Sequence, residues 1–281
     1  MPIHEIELMP YTYSKHETLL KLDNVGLRYG PPTGGRWILR GVSTEVHNIN
    51  RPDVEQGQVV CFLGPSGVGK TQLARLIAGL HHATEGTISM ADGTPVGPGR
   101  CGFVAQHYPL FQFMRVQDQL VLAAKLGGVR NFTAKIGDYL SALGMEGQDL
   151  SKFPRQFSGG QRQRLAIIRQ LLCSEHFIIL DEPFSGLDIK AKSRACALIQ
   201  QVAQMHTLNT IIIITHDVTE GMSVADTVWL MGKPHPDVPA SIVETYDLAA
   251  EGLAWKPDIH DDARFREYVV DVKHRFLEVA P

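Results

Sequence analysis

The sequence predicts an α/β fold built around a parallel sheet. Three observations predict it. Short apolar blocks such as Phe177-Ile178-Ile179-Leu180 and Ile211-Ile212-Ile213-Ile214 read as buried strands. Stretches of helical periodicity lie between them. A glycine-rich loop, Gly64-Pro65-Ser66-Gly67-Val68-Gly69-Lys70-Thr71, joins an apolar strand to an amphipathic helix. Strands that alternate with helices in this way imply βαβ units. The 281 residues suit one large domain with appendages, or two small domains. A hydrophobic content of 44% is ordinary for a well-cored chain, and a net charge of -3 gives no global footprint for nucleic acid, so no direct nucleic-acid partner is expected.

Taken in order, the opening residues 1–18 read as an N-terminal arm. Residues 19–29 and 37–46 have strand character, with β-branched Val25, Val42 and Val46, and residues 30–35 between them are turn material. A second turn-rich stretch, 47–57, precedes the strand at 58–63. A helix is expected over 70–80, since Leu73, Leu76, Ile77 and Leu80 recur at helical spacing. Strand-like pieces follow at 87–89 and 102–104. The pattern from 111 to 156 is helical, and a further helix is expected over 191–205. The tail from residue 233 is richer in Pro, His and Asp and reads as an accessory segment. Within it, Arg264, Arg266, Lys273 and Arg275 interleave with Phe265, Tyr268, Val269 and Phe276 as in an amphipathic helix. Packing on the core, or a regulatory or dimer contact, are open for it.

Cys61, Cys101, Cys173 and Cys196 match no zinc spacing, and read as reduced, largely buried thiols. No signal-like segment and no run of about 20 apolar residues is visible, so the expectation is a soluble chain in a reducing compartment whose membrane role, if it has one, needs a partner.

The chemistry begins at the Gly64–Thr71 loop, which fits G-x-x-x-x-G-K-[ST]. Glycines let backbone amides wrap an anion, and the following helix presents its positive end. Lys70 can neutralise β and γ phosphates, and the Thr71 hydroxyl can ligate Mg²⁺. Asp181-Glu182 follows an apolar strand, and ligands of open α/β sheets bind beyond the carboxyl ends of strands. On its own this pair also reads as a helix cap. Beside a phosphate loop it supplies a metal ligand, Asp181, and a residue that orients or deprotonates water, Glu182. His216 closes another strand and could donate to a phosphate or to the attacking water. Ser158 can cap the helix that starts at Gly159.

The run Phe157-Ser158-Gly159-Gly160-Gln161-Arg162-Gln163-Arg164, about 20 residues before Asp181-Glu182, resembles the signature of ATP-binding-cassette ATPases. The resemblance covers residues 19–232. It makes Gln106 the Q-loop glutamine, a further Mg²⁺ and water contact. Ser185-Gly186-Leu187-Asp188 becomes the D-loop, with Ser185 and Asp188 at a dimer interface. His216 is the switch histidine, and Tyr29 the aromatic that stacks on adenine, with Trp37 as its rival. The resemblance implies a P-loop NTPase (RecA-like) core with a parallel sheet, an N-terminal antiparallel β-subdomain and an inserted α-helical subdomain at about 107–165. It also implies a head-to-tail dimer with a second copy or a homologous ATPase subunit. Each ATP would lie between Gly64–Thr71 of one chain and Ser158, Gly159, Gly160 and Gln161 of the other.

An ATPase of this type powers integral membrane permease subunits at the cytoplasmic face of the inner membrane, in importers together with a solute-binding protein. The motif layout is similar to that of the nitrate, sulfonate and taurine importer group. The apolar segment 108–116 is either the permease contact or ordinary subdomain core. A soluble ABC ATPase outside transport, or an ATP-sensing regulatory module, is the alternative. The chain departs from the family pattern at Phe157, where leucine is usual, and at Gln72, where a second hydroxyl residue is common.

Overall fold

The computed structural model describes residues 13–50, 57–174, 176–235 and 237–279. Its elements in chain order are β1 (Ser14–Tyr29), β2 (Arg36–Asn50), β3 (Gln58–Leu63), α1 (Lys70–Ile77), β4 (Glu85–Met90), β5 (Cys101–Val104), α2 (Val116–Leu126), α3 (Phe132–Ala142), α4 (Gly159–Cys173), β6 (Phe177–Asp181), α5 (Ile189–Ala203), β7 (Thr210–Thr215), α6 (Val218–Val224), β8 (Thr227–Gly232), β9 (Ser241–Asp247) and α7 (Ala263–Glu278).

Two sheets organise them. A six-stranded sheet has the order β5-β6-β7-β3-β8-β9, parallel throughout except for β9, which pairs antiparallel with β8. A three-stranded antiparallel sheet has the order β2-β1-β4. The central strands β3, β6 and β7 are buried at every position, as strands covered on both faces must be. Their alternating side chains therefore feed two cores. Val59, Cys61, Leu63, Ile211 and Ile213 face the layer of α4, α5, α6 and α7. Val60, Phe62, Ile212, Ile214 and Trp229 face α1 and the antiparallel sheet, with Phe62 stacked on Trp229 at 5.0 Å. The helices α2 and α3 pack with α4 as an insertion between β5 and β6. This is the arrangement of core, β-subdomain and helical subdomain that the resemblance implies.

Three sequence expectations change. Strand β1 begins at Ser14, so residues 14–18 of the expected arm are already paired with β2; residues 1–12 lie outside the described residues. Likewise β2 runs through to Asn50, and residues 51–56 of the expected turn lie outside the described residues. Helix α1 ends at Ile77 rather than at residue 80. Gly79 takes φ +68°, and a Cβ there would come within 2.6 Å of Gly97. A left-handed glycine just past the last turn stops a helix, and Leu80 is left exposed.

The tail is built into the main sheet. The boundary placed at residue 232 falls between hydrogen-bonded neighbours, because β9 pairs with β8 from Thr227↔Asp247 to Gly232↔Ser241. Helix α7 buries Phe265, Val269 and Val272 in the same core as Val59 and Ile213, and its end returns to the sheet through Lys233 N–H donating to the Val279 carbonyl at 3.2 Å. The amphipathic pattern was legible, and packing on the core, one of its open readings, is the outcome. The β8–β9 hairpin was not, because its strands carry too few periodic residues to announce it.

Phe265→Ala should therefore cost about 3–5 kcal/mol, as for a core aromatic, whereas Val270→Ala on the exposed face of the same helix should stay within about 0.5 kcal/mol. Urea unfolding of the two variants checks the difference.

Candidate functional site

The site lies where β3, β6 and β7 end. Their parallel register aligns Leu63 with Thr215 and Asp181 with Ile214. The chain leaving each strand thus carries its polar residues to one edge. From β3 comes the Gly64–Thr71 loop, which opens α1. Gly69 takes φ +106°, and a Cβ on it would press to 2.8 Å from Leu39, so only glycine fits this turn. The Lys70 ammonium is buried and donates to the carbonyls of Gly64 (2.7 Å) and Pro65 (2.9 Å). Burial lowers its pKa, against the pull of Glu182 and Asp181. A buried lysine in a glycine-rich loop at a helix start is suited to anionic oxygen.

Thr71 Oγ1 donates to both oxygens of Asp181, at 3.1 and 3.2 Å. Burial raises the Asp181 pKa; the Thr71 hydrogen bond lowers it, and the neighbouring Glu182 charge raises it further. This hydroxyl–carboxylate pair is a hard oxygen donor set beside a phosphate cradle. It fits Mg²⁺, which takes one or two protein oxygens and completes its shell with water and phosphate.

Glu182 sits at φ +51°, a strained conformation for a residue with a side chain, fixed by its own N–H donating to the Ile214 carbonyl at 2.8 Å. Its two carboxylate oxygens each lie 3.0 Å from His216 Nδ1. Gln106 Nε2 donates to Ser185 Oγ at 3.0 Å. Tyr29, at the end of β1, donates its hydroxyl to Gln72 Oε1 at 2.8 Å. Tyr29, Ile38, Ser66, Gly67, Lys70, Thr71, Gln72 and Glu182 line one cleft of about 340 Å³. Trp37, the rival aromatic, instead lies between the guanidinium groups of Arg28 (5.0 Å) and Arg40 (4.8 Å), and is absent from the cleft wall.

Ser158 caps α4: its hydroxyl accepts from Gln161 N–H (3.3 Å), and Gln161 Oε1 accepts from Ser158 N–H (2.9 Å). Gly159 and Gly160 are open to solvent, with nothing near enough to meet a Cβ. This helix end does not reach the phosphate loop of its own chain. It lines a separate groove of about 740 Å³ with Gln106, Ser185 and Leu187. Asp188 caps α5 by accepting from Ala191 N–H at 2.8 Å.

Three residues joined to the site were not singled out from the sequence. Tyr108, at φ +47°, donates to the Pro183 carbonyl (3.1 Å) and accepts from Gln163 Nε2 on α4 (2.9 Å); burial pushes its phenol up to about 12. Lys192 on α5 pairs with Asp217, the residue after His216. The Gln-x-Tyr spacing after β5 was the one available signal for Tyr108. The partners of Gln163 and Lys192 are 55 and 25 positions away and left no local trace.

Comparison with known proteins places this geometry. The family model for the ABC transporter matches residues 47–185. The nitrate import ATP-binding protein NrtD of Synechocystis sp. is 39% identical over 197 residues, 68% of this chain and 72% of that protein. The chain belongs to the ABC transporter family. The sulfate/thiosulfate import ATP-binding protein CysA of Xylella fastidiosa is 35% identical over 205 residues, 69% of this chain. The chain spans 58% of the length of that relative. Among solved structures, cbiO1 from Clostridium perfringens, part of the ABC transporter complex cbiONQ, has a TM-score of 0.67 at 23% identity, covering 92% of this chain and 100% of that one. The dimeric post-hydrolysis cassette MJ0796 bound to ADP and Pi has a TM-score of 0.64 at 22% identity, covering 82% and 99%. Both share the ABC fold described above. Among the described residues no helix is long and apolar enough to cross a membrane.

The Tyr108 node gives a stability test. Tyr108→Phe removes the donor to a buried carbonyl and leaves the buried Gln163 amide without its acceptor, which should cost about 1–3 kcal/mol in urea unfolding.

Proposed function

We propose that this chain is the ATP-hydrolysing subunit of a solute importer and works as a head-to-tail pair. One observation carries the hydrolytic half of the reading: Glu182 is held in a strained turn against His216 and lines the cleft with Lys70 and Thr71, whose hydroxyl donates to Asp181. The amides of Gly64–Thr71 wrap the phosphates of ATP, and Lys70 exchanges its two loop carbonyls for phosphate oxygens. Thr71 and Asp181 hold Mg²⁺, with Gln106 as a further contact. Bound Mg²⁺ neutralises charge on the phosphates. Glu182 accepts a proton from the attacking water, or orients it, and His216 donates toward the γ-phosphate. Gln106 Nε2, which donates to Ser185 Oγ in this structure, exchanges that partner for the water. Tyr29 stacks on the adenine.

The paired arrangement is supported by the separation of the two half-sites. Ser158, Gly159, Gly160 and Gln161 form an exposed, capped helix end in a groove apart from the phosphate cleft, with Ser185 beside them and Asp188 capping the next helix. A second copy, or a homologous subunit, brings that end to the γ-phosphate of its neighbour, where backbone amides meet anionic oxygen. Membrane coupling is supported by Phe111 and Phe113. Their rings lie 5.7 Å apart, 44% and 80% exposed, just after Gln106. An exposed aromatic pair at this point suits a permease subunit at the cytoplasmic face of the inner membrane. The import direction rests on the named roles of NrtD and CysA as import ATP-binding proteins, and a solute-binding protein is the partner that the family resemblance implies for an importer.

Glu182→Gln should lower phosphate release by about 10²–10⁴-fold while ATP affinity is retained, as expected when a general base is lost from an intact binding site. Turnover near the wild-type level would show that another group handles the water. Recovery of a polytopic membrane protein with the wild-type chain supports the transport reading; stable association with DNA or ribosomes in its place would reverse it.

A further inference from the structure

Between Asp118 and Asp138 the chain has no acidic residue, yet it carries Lys125, Arg130 and Lys135 at intervals of five. In a chain of net charge -3 this is a local excess of positive charge. The segment is the tip of the helical subdomain: the end of α2, a short turn and the start of α3. The turn is ordered. Gly128 N–H donates to the Lys125 carbonyl (3.2 Å) and Val129 N–H to the Ala124 carbonyl (2.9 Å), which closes α2, and Val129 and Phe132 pack against the core. What the tip leaves in solvent is apolar and cationic together. Leu126 is 76% exposed, and Leu122, one turn before it on the same face, is 38% exposed. The Lys125 ammonium lies 6.0 Å from the Phe132 ring centroid, and that of Lys135 lies 4.8 Å from Tyr139. Among the described residues none of the three cations pairs with a carboxylate.

An apolar protein groove takes the leucines and leaves the cations; an acidic protein surface takes the cations and leaves the leucines. The boundary of an anionic bilayer takes both, with leucine between the headgroups and the Lys and Arg stems laid along the surface, their charges at phosphate. We propose that this tip, residues 122–135, docks on an anionic lipid surface, with Leu122 and Leu126 inserted at headgroup level and Lys125, Arg130 and Lys135 on lipid phosphates. The inference goes beyond the transport reading, since it needs neither nucleotide nor permease. It fits that reading in space: α2 has 11 residues, so the tip stands about 16 Å along the helix from its Val116 end, where Phe111 and Phe113 lie close in the chain. Three cations and two leucines make a weak, salt-sensitive attachment, and a permease held at the other end of α2 strengthens it by keeping the tip near the bilayer. Because α2 and α3 pack on α4, a hold on the tip bears on the helix that presents Ser158.

The test is co-sedimentation of the full chain with vesicles of phosphatidylglycerol and phosphatidylcholine in equal parts, against vesicles of phosphatidylcholine alone, at low and at high salt. The variants are Lys125→Gln/Arg130→Gln/Lys135→Gln, Leu122→Ser/Leu126→Ser and, as a control, Arg266→Gln/Lys273→Gln, which removes exposed cations from α7 instead. A thermal melt and ATP hydrolysis without vesicles check that each variant is folded. The wild-type chain should bind the anionic vesicles, lose that binding at high salt and leave the neutral ones alone. Each cation at an anionic surface contributes about fivefold in partition, so the triple variant should bind about a hundredfold more weakly. The leucine variant should lose about tenfold, and the α7 variant should bind as the wild type does. Absence of wild-type binding, equal binding to both kinds of vesicle, or a triple variant that binds as the wild type does would each overturn the proposal. Equal loss in the α7 variant would also overturn it, by reducing the effect to net charge. Tip variants that bind vesicles normally but no longer recover a membrane protein would assign the tip to a protein partner and overturn the lipid contact. A chain that binds vesicles as expected but hydrolyses no ATP would remove the functional reading and leave this inference standing.

Discussion

The parallel pairing of β6, β7 and β3 is the constraint on which the rest of the molecule depends. Register aligns the carboxyl ends of these strands, so a lysine loop, a carboxylate pair and a histidine separated by more than a hundred residues emerge at one edge. Each strand is buried on both faces, and a slip of one residue would exchange the side chains of its two cores. The hydrophobic packing therefore holds the chemistry in place. The Thr71–Asp181 hydrogen bond and the Glu182–His216 pair depend on this register, which sets Leu63 level with Thr215 and Asp181 level with Ile214.

Cost accompanies this placement. Asp181 is a buried carboxylate whose charged form burial disfavours, and Lys70 is a buried ammonium with its pKa pushed the other way. Glu182 and Tyr108 both occupy left-handed backbone with full side chains. Strain and desolvation gathered at one edge of an otherwise apolar sheet are what a site prepared for a highly charged ligand requires. The surrounding contacts share the load: Glu182 N–H is held by Ile214, and the Tyr108 hydroxyl by Pro183 and Gln163.

Much of this was legible in the sequence, and for physical reasons. Fully apolar strands such as Ile211–Ile214 and the glycine pattern at Gly64–Thr71 are local signals whose meaning does not depend on distant residues. Ser158 announced its own capping role by its place before the helix, and the reciprocal contact with Gln161 completes it in the structure. What was not legible was pairing over distance. The ends of β1 and α1 were set by a partner strand and by the close approach of Gly79 to Gly97. The tail was read as an accessory because the β8–β9 hairpin that binds it to the sheet has no strong period. Gln72 read as a neutral departure from a hydroxyl, and the hydrogen bond it accepts from Tyr29 at 2.8 Å, 43 positions away, left no local trace.

The central claim is that a phosphate loop and a capped helix end from different chains share one triphosphate. Disulfide trapping tests it most directly, with Ser66→Cys on one population of chains and Gly159→Cys on another, mixed under mild oxidation. A covalent pair of the two variants that forms with ATP, and not with ADP or with either variant alone, is the expected result. Equal trapping with and without ATP, or none at all, would contradict it.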